Sequence, residues 1–264
     1  MYYPDVRRKR SGAPILSRKE IDDIAENLIA DFCPEALRTP QQIDIDLFVQ
    51  DYLKMDQDYQ YLSHCGVYLG MTVFNDTDKI PVYDPVTDRA EYISAKARTV
   101  IIDNTLLEEN QEHRYRFTMG HESGHGYFHS EFFTYDPNQL TFMDLLGESK
   151  PAMVQCRVDI KKLSDHIEPP IWGDKEWMEW QANAFSSSLL MPRSAMILLC
   201  EDIKARGIDH FSLPLALVIG VSDVFNVSGE AARYRLESMG YIKKGTMLLE
   251  EDYIDMSALL TNNM

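Results

Sequence analysis

With 264 residues, 45% of them hydrophobic and 11% aromatic, the chain can fill one large core or two modest ones, which excludes an intrinsically disordered protein. A formal net charge of −16 argues against a broad phosphate-binding surface, because nucleic-acid binders concentrate positive charge to displace counterions. Cys33, Cys65, Cys156 and Cys200 lie far apart with no Cys-x-x-Cys, so neither a disulfide framework nor a thiolate metal site is indicated, and reduced, mostly buried thiols are expected.

Residues 1–16 read as an N-terminal extension. Met1 to Arg10 carries charge but no following apolar stretch of the kind a signal peptide needs, and no apolar run reaches membrane-spanning length, so a cytoplasmic protein without a membrane partner is expected. Ser17-Arg-Lys-Glu20 is a capping box, and Ile21, Ile24, Ala25, Leu28, Ile29 and Phe32 follow at helical spacing. Thr39-Pro40-Gln41-Gln42 repeats the start signal for a second helix, or a short strand and a helix, through Ile43, Leu47, Phe48 and Tyr52-Leu53 to about Lys54. From Tyr59 to Asp103, β-rich runs at Val67 to Phe74, Ile80 to Tyr83 and Thr99 to Asp103 alternate with turn-formers, which predicts a small, mostly antiparallel sheet whose edge strand can hold an extended peptide.

A central helix is predicted from Glu112 to His129 despite Ser123, Gly124 and Gly126, poor helix formers that would let another element approach closely. Ser130 to Trp172 reads as a long, irregular connection with a strand or short helix around Ala152 to Ile160. Helices follow from Lys175 to Leu190 and from Pro192 to before Gly207. Leu215 to Val224 and Gly229 to Met239, joined by Phe225 to Ser228, have helix-turn-helix proportions. Leu213 to Lys244 is nearly neutral, which favours packing or protein contact there over DNA reading. The last twenty residues, 245–264, read as an acidic tail.

The chemistry concentrates in the central helix, which contains Gly-His121-Glu122-Ser-Gly-His125-Gly-Tyr-Phe-His129. His-Glu-x-x-His on a helix places both imidazoles on one face, one turn apart, where they can share a metal ion. Neutral imidazoles suit zinc, and Glu122 between them is placed to take a proton from water. A shuffled chain of this His and Glu content shows the pattern with a chance of roughly one in a hundred; the bland alternative is a solvated helix with scattered histidines. Catalytic zinc keeps three protein ligands, so a third must come from elsewhere. Glu176, Glu179 and Asn183 recur at helical spacing downstream, and His129 is the rival. Four residues beyond His125 on a continuous helix, His129 drifts away from the metal, so Glu179 ranks first.

Arg116-Phe117-Thr118-x-x-His121-Glu122-x-Gly124-His125-x-x-x-His129, with Glu179-x-x-Ala182-Asn183-x-Phe185-x-x-x-Leu189-Leu190-Met191-Pro192, resembles the ImmA/IrrE family of zinc metallopeptidases. The resemblance extends loosely from Ser17 to Ile242 and includes a Val-Ser-x-x-Ala-x-x-x-Arg-Leu stretch at Val227 to Leu236. It implies an α/β lead-in, His121, His125 and Glu179 as zinc ligands, Glu122 as general base, and Asn183 as a supporting polar residue one turn beyond Glu179. His129 is read as a supporting or capping residue. Ser123 departs from the bulky apolar residue usual in the family and Ser186 from its alanine, which bears on packing rather than on metal binding.

The expected fold is therefore α+β, a small sheet packed on the His-Glu-x-x-His helix and followed by a helical bundle. The expected domains are a peptidase domain over 17–210 and a helix-turn-helix-like segment over 211–244. The resemblance implies a zinc-dependent endopeptidase that hydrolyses a cytoplasmic regulatory protein, such as a helix-turn-helix repressor. Tyr127, Tyr135, Arg157 and His166 are the open candidates for stabilising the oxyanion. A second reading is a non-catalytic zinc-containing regulatory or protein-binding module, against which an intact Glu122 weighs, because a structural site needs no base. A third, a DNA-binding regulator, rests on Phe225 to Leu236 alone and conflicts with the acidity of the chain.

Overall fold

Ser17 and Glu20 close the capping box: Glu20 accepts from the Ser17 N–H at 2.7 Å, and the Ser17 hydroxyl accepts from the Glu20 N–H at 3.3 Å. Helix α1, Arg18–Phe32, starts there and buries Ile21, Ile24, Ala25, Leu28 and Ile29 along one stripe. The second helical segment begins later than Thr39, because Asp44 is the residue that caps it, accepting from the Leu47 N–H at 3.0 Å. Helix α2, Ile45–Leu47, runs on as a π-helical turn over Phe48–Tyr52.

The computed structural model describes residues 1–134 and 172–245, together with the backbone of Met153–Cys156. The expected acidic tail and most of the expected connection from Ser130 to Trp172 lie outside the described residues. The fold is α+β, as the alternation of periodicities predicts. The chain forms two compact units, one of Met1–Ile21 with Asp44–Ser186, the other of Asp22–Ile43 with the chain from Ser187 onward.

In the first unit, strands β1 (Asp56–Gln60), β2 (Gly70–Val73), β5 (Thr99–Asp103) and β6 (Met153–Cys156) form one sheet in the order β1-β5-β2-β6. The β5–β2 and β2–β6 pairs are antiparallel and β1–β5 is parallel; Met71 pairs with Ile101 on one side and Gln155 on the other. Strands β3 (Thr77–Asp84) and β4 (Arg89–Ala95) make a separate antiparallel hairpin. Both β2 and β5 are buried along their whole length, so they read as unbroken rather than alternating runs. Met71, Val73 and Ile101 pack with Leu62, Ile80 and Val82 into one apolar cluster.

Helix α3, Glu112–Phe128, lies on β2 and β5 and is followed by the short α4, Ser130–Phe133. Helix α5 is Asp174–Leu190. The small residues of α3 have a physical task. A Cβ at Gly124 would stand 3.0 Å from Phe185 Cδ1 and 3.3 Å from the Cα of Ala182, and one at Gly120 would stand 2.6 Å from Ser186 Oγ. The two helices therefore approach where α3 has no side chain. Ser186 donates its hydroxyl to the Phe117 carbonyl at 2.8 Å, so its polar atom is satisfied by the neighbouring helix.

The second unit holds α6 (Arg193–Ala205), α7 (Leu213–Phe225) and α8 (Gly229–Ser238). Asn226 in the left-handed region (φ 52) ends α7, and the Ser228 hydroxyl caps α8 by accepting from the Ala231 N–H at 3.2 Å. The two helices meet at 114°, a helix-turn-helix geometry. Arg235 of α8 points inward, pairing with Asp22 at 2.7 Å and donating to the Met191 carbonyl at 3.1 Å. Among the described cysteine side chains Cys200 is buried, Cys33 is half-buried and Cys65 is exposed, which corrects the expectation of mostly buried thiols. Cys65 lies in the loop between β1 and β2, beside Gly66 at φ 64, where the chain turns at the surface. Among the described residues no single helix is long and apolar enough to cross a membrane.

Candidate metal centre

Helical periodicity places His121 and His125 one turn apart on α3, with their Nε2 atoms 3.1 Å from each other. The approach of α5 at Gly120 and Gly124 brings Glu179 opposite them. Its Oε2 lies 3.5 Å from His121 Nε2 and its Oε1 lies 3.5 Å from His125 Nε2. A tetrahedral ion with bonds of about 2.0 to 2.1 Å holds neighbouring ligands about 3.3 to 3.4 Å apart, so these separations fit an ion between the three side chains. His121, His125 and Glu179 form a group that could hold a metal ion. Glu176, the other downstream carboxylate, is exposed and does not join that group.

The histidines are sealed in the interior, whereas the Glu179 side chain is 37% exposed, so the group is open on the α5 side. Burial penalises a charged His121, but its hydrogen bond to Glu179 and the charges of Glu122 and Glu179 outweigh it and raise its pKa. Burial also pushes Glu179 up, and hydrogen bonds from both histidines overcome this and hold it far below the usual carboxylate range. The site is thus organised around charge attraction in a poorly solvated place.

Glu122 is completely buried. Its Oε2 accepts from the Thr72 hydroxyl at 2.6 Å, and the same hydroxyl lies 2.9 Å from the Glu122 backbone carbonyl. Its Oε1 has no hydrogen-bond partner among the described residues. Gly70 makes room for that oxygen, since a Cβ there would come within 2.7 Å of it. Burial raises the pKa of Glu122 against the opposing pull of the His121 and His125 charges.

Asn183 and His129 take supporting places. The Asn183 Oδ1 lies 2.8 Å from His121 Nδ1, which puts the proton of His121 on Nδ1 and leaves its Nε2 lone pair for a metal. His129 is not in the metal group; its Nδ1 lies 2.9 Å from His125 Nδ1. Burial, and then the neighbouring His125, keep His129 well below its ordinary pKa. Of the oxyanion candidates, Tyr127 donates its hydroxyl to the Tyr2 carbonyl at 2.5 Å. Tyr135, Arg157 and His166 lie outside the described residues.

Three contributors carried no sequence signal: Thr72, Gln181 and the Pro14 carbonyl. Thr72 and Pro14 come from distant segments, whereas Gln181 sits on α5 two residues from Glu179, its Oε1 3.0 Å from His129 Nε2 and its side-chain N–H donating to the Pro14 carbonyl at 3.0 Å. The chain matches no protein-family model and no curated protein.

Proposed function

We propose that this chain is a zinc-dependent endopeptidase of the ImmA/IrrE type that hydrolyses a cytoplasmic regulatory protein, for which a helix-turn-helix repressor is the implied substrate. One observation supports it most: a buried carboxylate with one bare oxygen, Glu122, stands beside an open-sided His-His-Glu group. Zinc in that group would supply Lewis acidity and a water more acidic than bulk water.

The chain's own residues do the rest. Thr72 occupies Oε2 of Glu122, so Oε1 is the atom that receives a proton from the attacking water and returns it to the leaving amine nitrogen. Burial makes this carboxylate a stronger base than an exposed one, which suits an exchange near neutral pH. Strand β6 ends the sheet beside β2, among the described residues, and its outer backbone groups could pair with an extended peptide.

The test is metal content and cleavage in parallel. The purified protein should hold about one zinc per chain. His121→Ala and Glu179→Ala should lose it. Glu122→Gln should keep zinc but lose cleavage of both casein and a co-expressed helix-turn-helix repressor, by roughly 10² to 10⁴. Equal rates in Glu122→Gln and the unaltered chain would sink the mechanism. A zinc-loaded protein that cleaves neither substrate would support the non-catalytic module instead.

A further inference from the structure

His125 is oriented by a line of hydrogen bonds that ends on the backbone of the N-terminal arm. Gln181 donates its side-chain N–H to the Pro14 carbonyl at 3.0 Å, and its Oε1 lies 3.0 Å from His129 Nε2. His129 Nδ1 then lies 2.9 Å from His125 Nδ1, and His125 Nε2 faces His121 Nε2 at 3.1 Å. Gln181, His129 and His125 are all buried, so water does not replace a missing partner.

Donor and acceptor chemistry constrains the protons along this line. A peptide carbonyl only accepts, so Gln181 must turn its amide nitrogen to Pro14 and its oxygen to His129. That oxygen also only accepts, so His129 carries its proton on Nε2. The partners of His129, an amide oxygen and a ring nitrogen, leave it a neutral ring with a bare Nδ1. His125 must therefore donate from Nδ1, and its lone pair is left on Nε2. On the other side, Asn183 leaves His121 with a bare Nε2 as well. Both Nε2 atoms then face one another at 3.1 Å and the Glu179 carboxylate at 3.5 Å, as three ligands of a single ion would.

We propose that Gln181 and His129 are positioning residues that fix His125 as the tautomer binding metal through Nε2, and that the arm containing Pro14 is thereby part of the metal centre. The arm is suited to this. It folds on itself through the Arg8–Pro14 bridge and the bonds Lys9 N–H to Ala13 O and Ile15 N–H to Arg7 O, each 2.8 Å. Lys9 pairs with Asp174 at the start of α5 at 2.8 Å, and Arg8 pairs with Glu131 of α4 at 2.8 Å. Arg8 also donates to the Phe128 carbonyl at the end of α3 at 3.4 Å, so the arm touches both ligand-bearing helices, α3 and α5. The inference rests on the metal group and not on hydrolysis.

The full-length protein is tested by Zn²⁺ titration against a chromophoric chelator. Gln181→Met, similar in size but unable to hydrogen-bond, should bind Zn²⁺ 10- to 100-fold more weakly, and so should His129→Phe, while circular dichroism shows an unchanged fold. In the zinc-loaded, ¹⁵N-labelled wild type, long-range ¹H–¹⁵N spectra should show His129 protonated at Nε2 and bare at Nδ1, with a coupling across the hydrogen bond between the two Nδ1 atoms. A folded Gln181→Met with wild-type affinity overturns the proposal, as does a His129 protonated at Nδ1. If Gln181→Met does not fold, the wild-type spectrum decides alone. A wild type that binds no Zn²⁺ overturns this inference together with the metal reading, whereas zinc binding without cleavage sinks only the peptidase reading.

Discussion

Thr72 on β2 donates its hydroxyl to Oε2 of Glu122 on α3 at 2.6 Å, and Oε1 of the same carboxylate has no hydrogen-bond partner among the described residues. Replacing the hydroxyl by a methyl of the same shape, Thr72→Val, leaves a wholly buried carboxylate without this donor. The protein should lose about 1 to 3 kcal/mol of stability, read by urea denaturation. If the proposed chemistry holds, peptide cleavage should fall about tenfold or more, short of the roughly 10² to 10⁴ carried by a catalytic acid–base group as a whole. Thr72→Ser keeps the donor and should restore most of both. A Thr72→Val protein as stable and active as the wild type would show that Glu122 needs no holder.

Gly124 lets α5 approach α3, with the backbone Cα of Ala182 directly across from it. On an exposed helix, replacing glycine by a residue with a Cβ stabilises by about 1 kcal/mol for alanine. Here the sign should reverse for Gly124→Val, which forces two helices apart and should cost about 1 to 3 kcal/mol. Because Glu179 travels with α5, zinc affinity should fall in the same variant. Unchanged zinc affinity in a destabilised Gly124→Val would separate the helix contact from the metal site.

The Ser17–Glu20 capping box gives a pH dependence of known sign. The hydrogen bonds from the Ser17 hydroxyl and backbone, with a smaller part from Arg7, hold the Glu20 carboxyl below its ordinary value of 4.5. A carboxylate with a depressed folded pKa contributes stability that is fully present above its unfolded pKa and is lost as pH falls through the folded one. The stability difference between wild type and Glu20→Gln should therefore be constant above about pH 5 and shrink on acidification below pH 4.5. Ser17→Ala should cost about 0.5 to 2 kcal/mol at neutral pH. A difference that grows on acidification would contradict the cap.

Thiol chemistry should separate Cys65 from Cys200. Burial pushes the Cys200 thiol up to about 12, whereas Cys65 is exposed. Since the thiolate is the reactive form, alkylation at pH 8 followed by peptide mapping should show Cys65 modified early and Cys200 only on unfolding. Early labelling of Cys200 in the folded protein would mean that α6 opens.

The amino-acid order alone determined what is local. Helical periodicity put His121, Glu122 and His125 on one segment in fixed angular relation, the Ser17–Glu20 spacing started α1, and the spacing of Glu176, Glu179 and Asn183 put the candidate carboxylates on one helix. These follow from backbone geometry within a turn or two, so a single segment suffices to read them. Tertiary structure decided which carboxylate meets the histidines, because that depends on where α5 crosses α3 at Gly120 and Gly124. It also decided that Asp44 rather than Thr39 caps the second helix and that β1 lies parallel to β5. Thr72 meets Glu122 across 50 positions, and Pro14 meets Gln181 across 167. Side-chain hydrogen bonds between such distant segments impose no period and no composition on the chain. They exist only once packing has brought donor and acceptor within 3 Å or so and has excluded the water that would otherwise serve both.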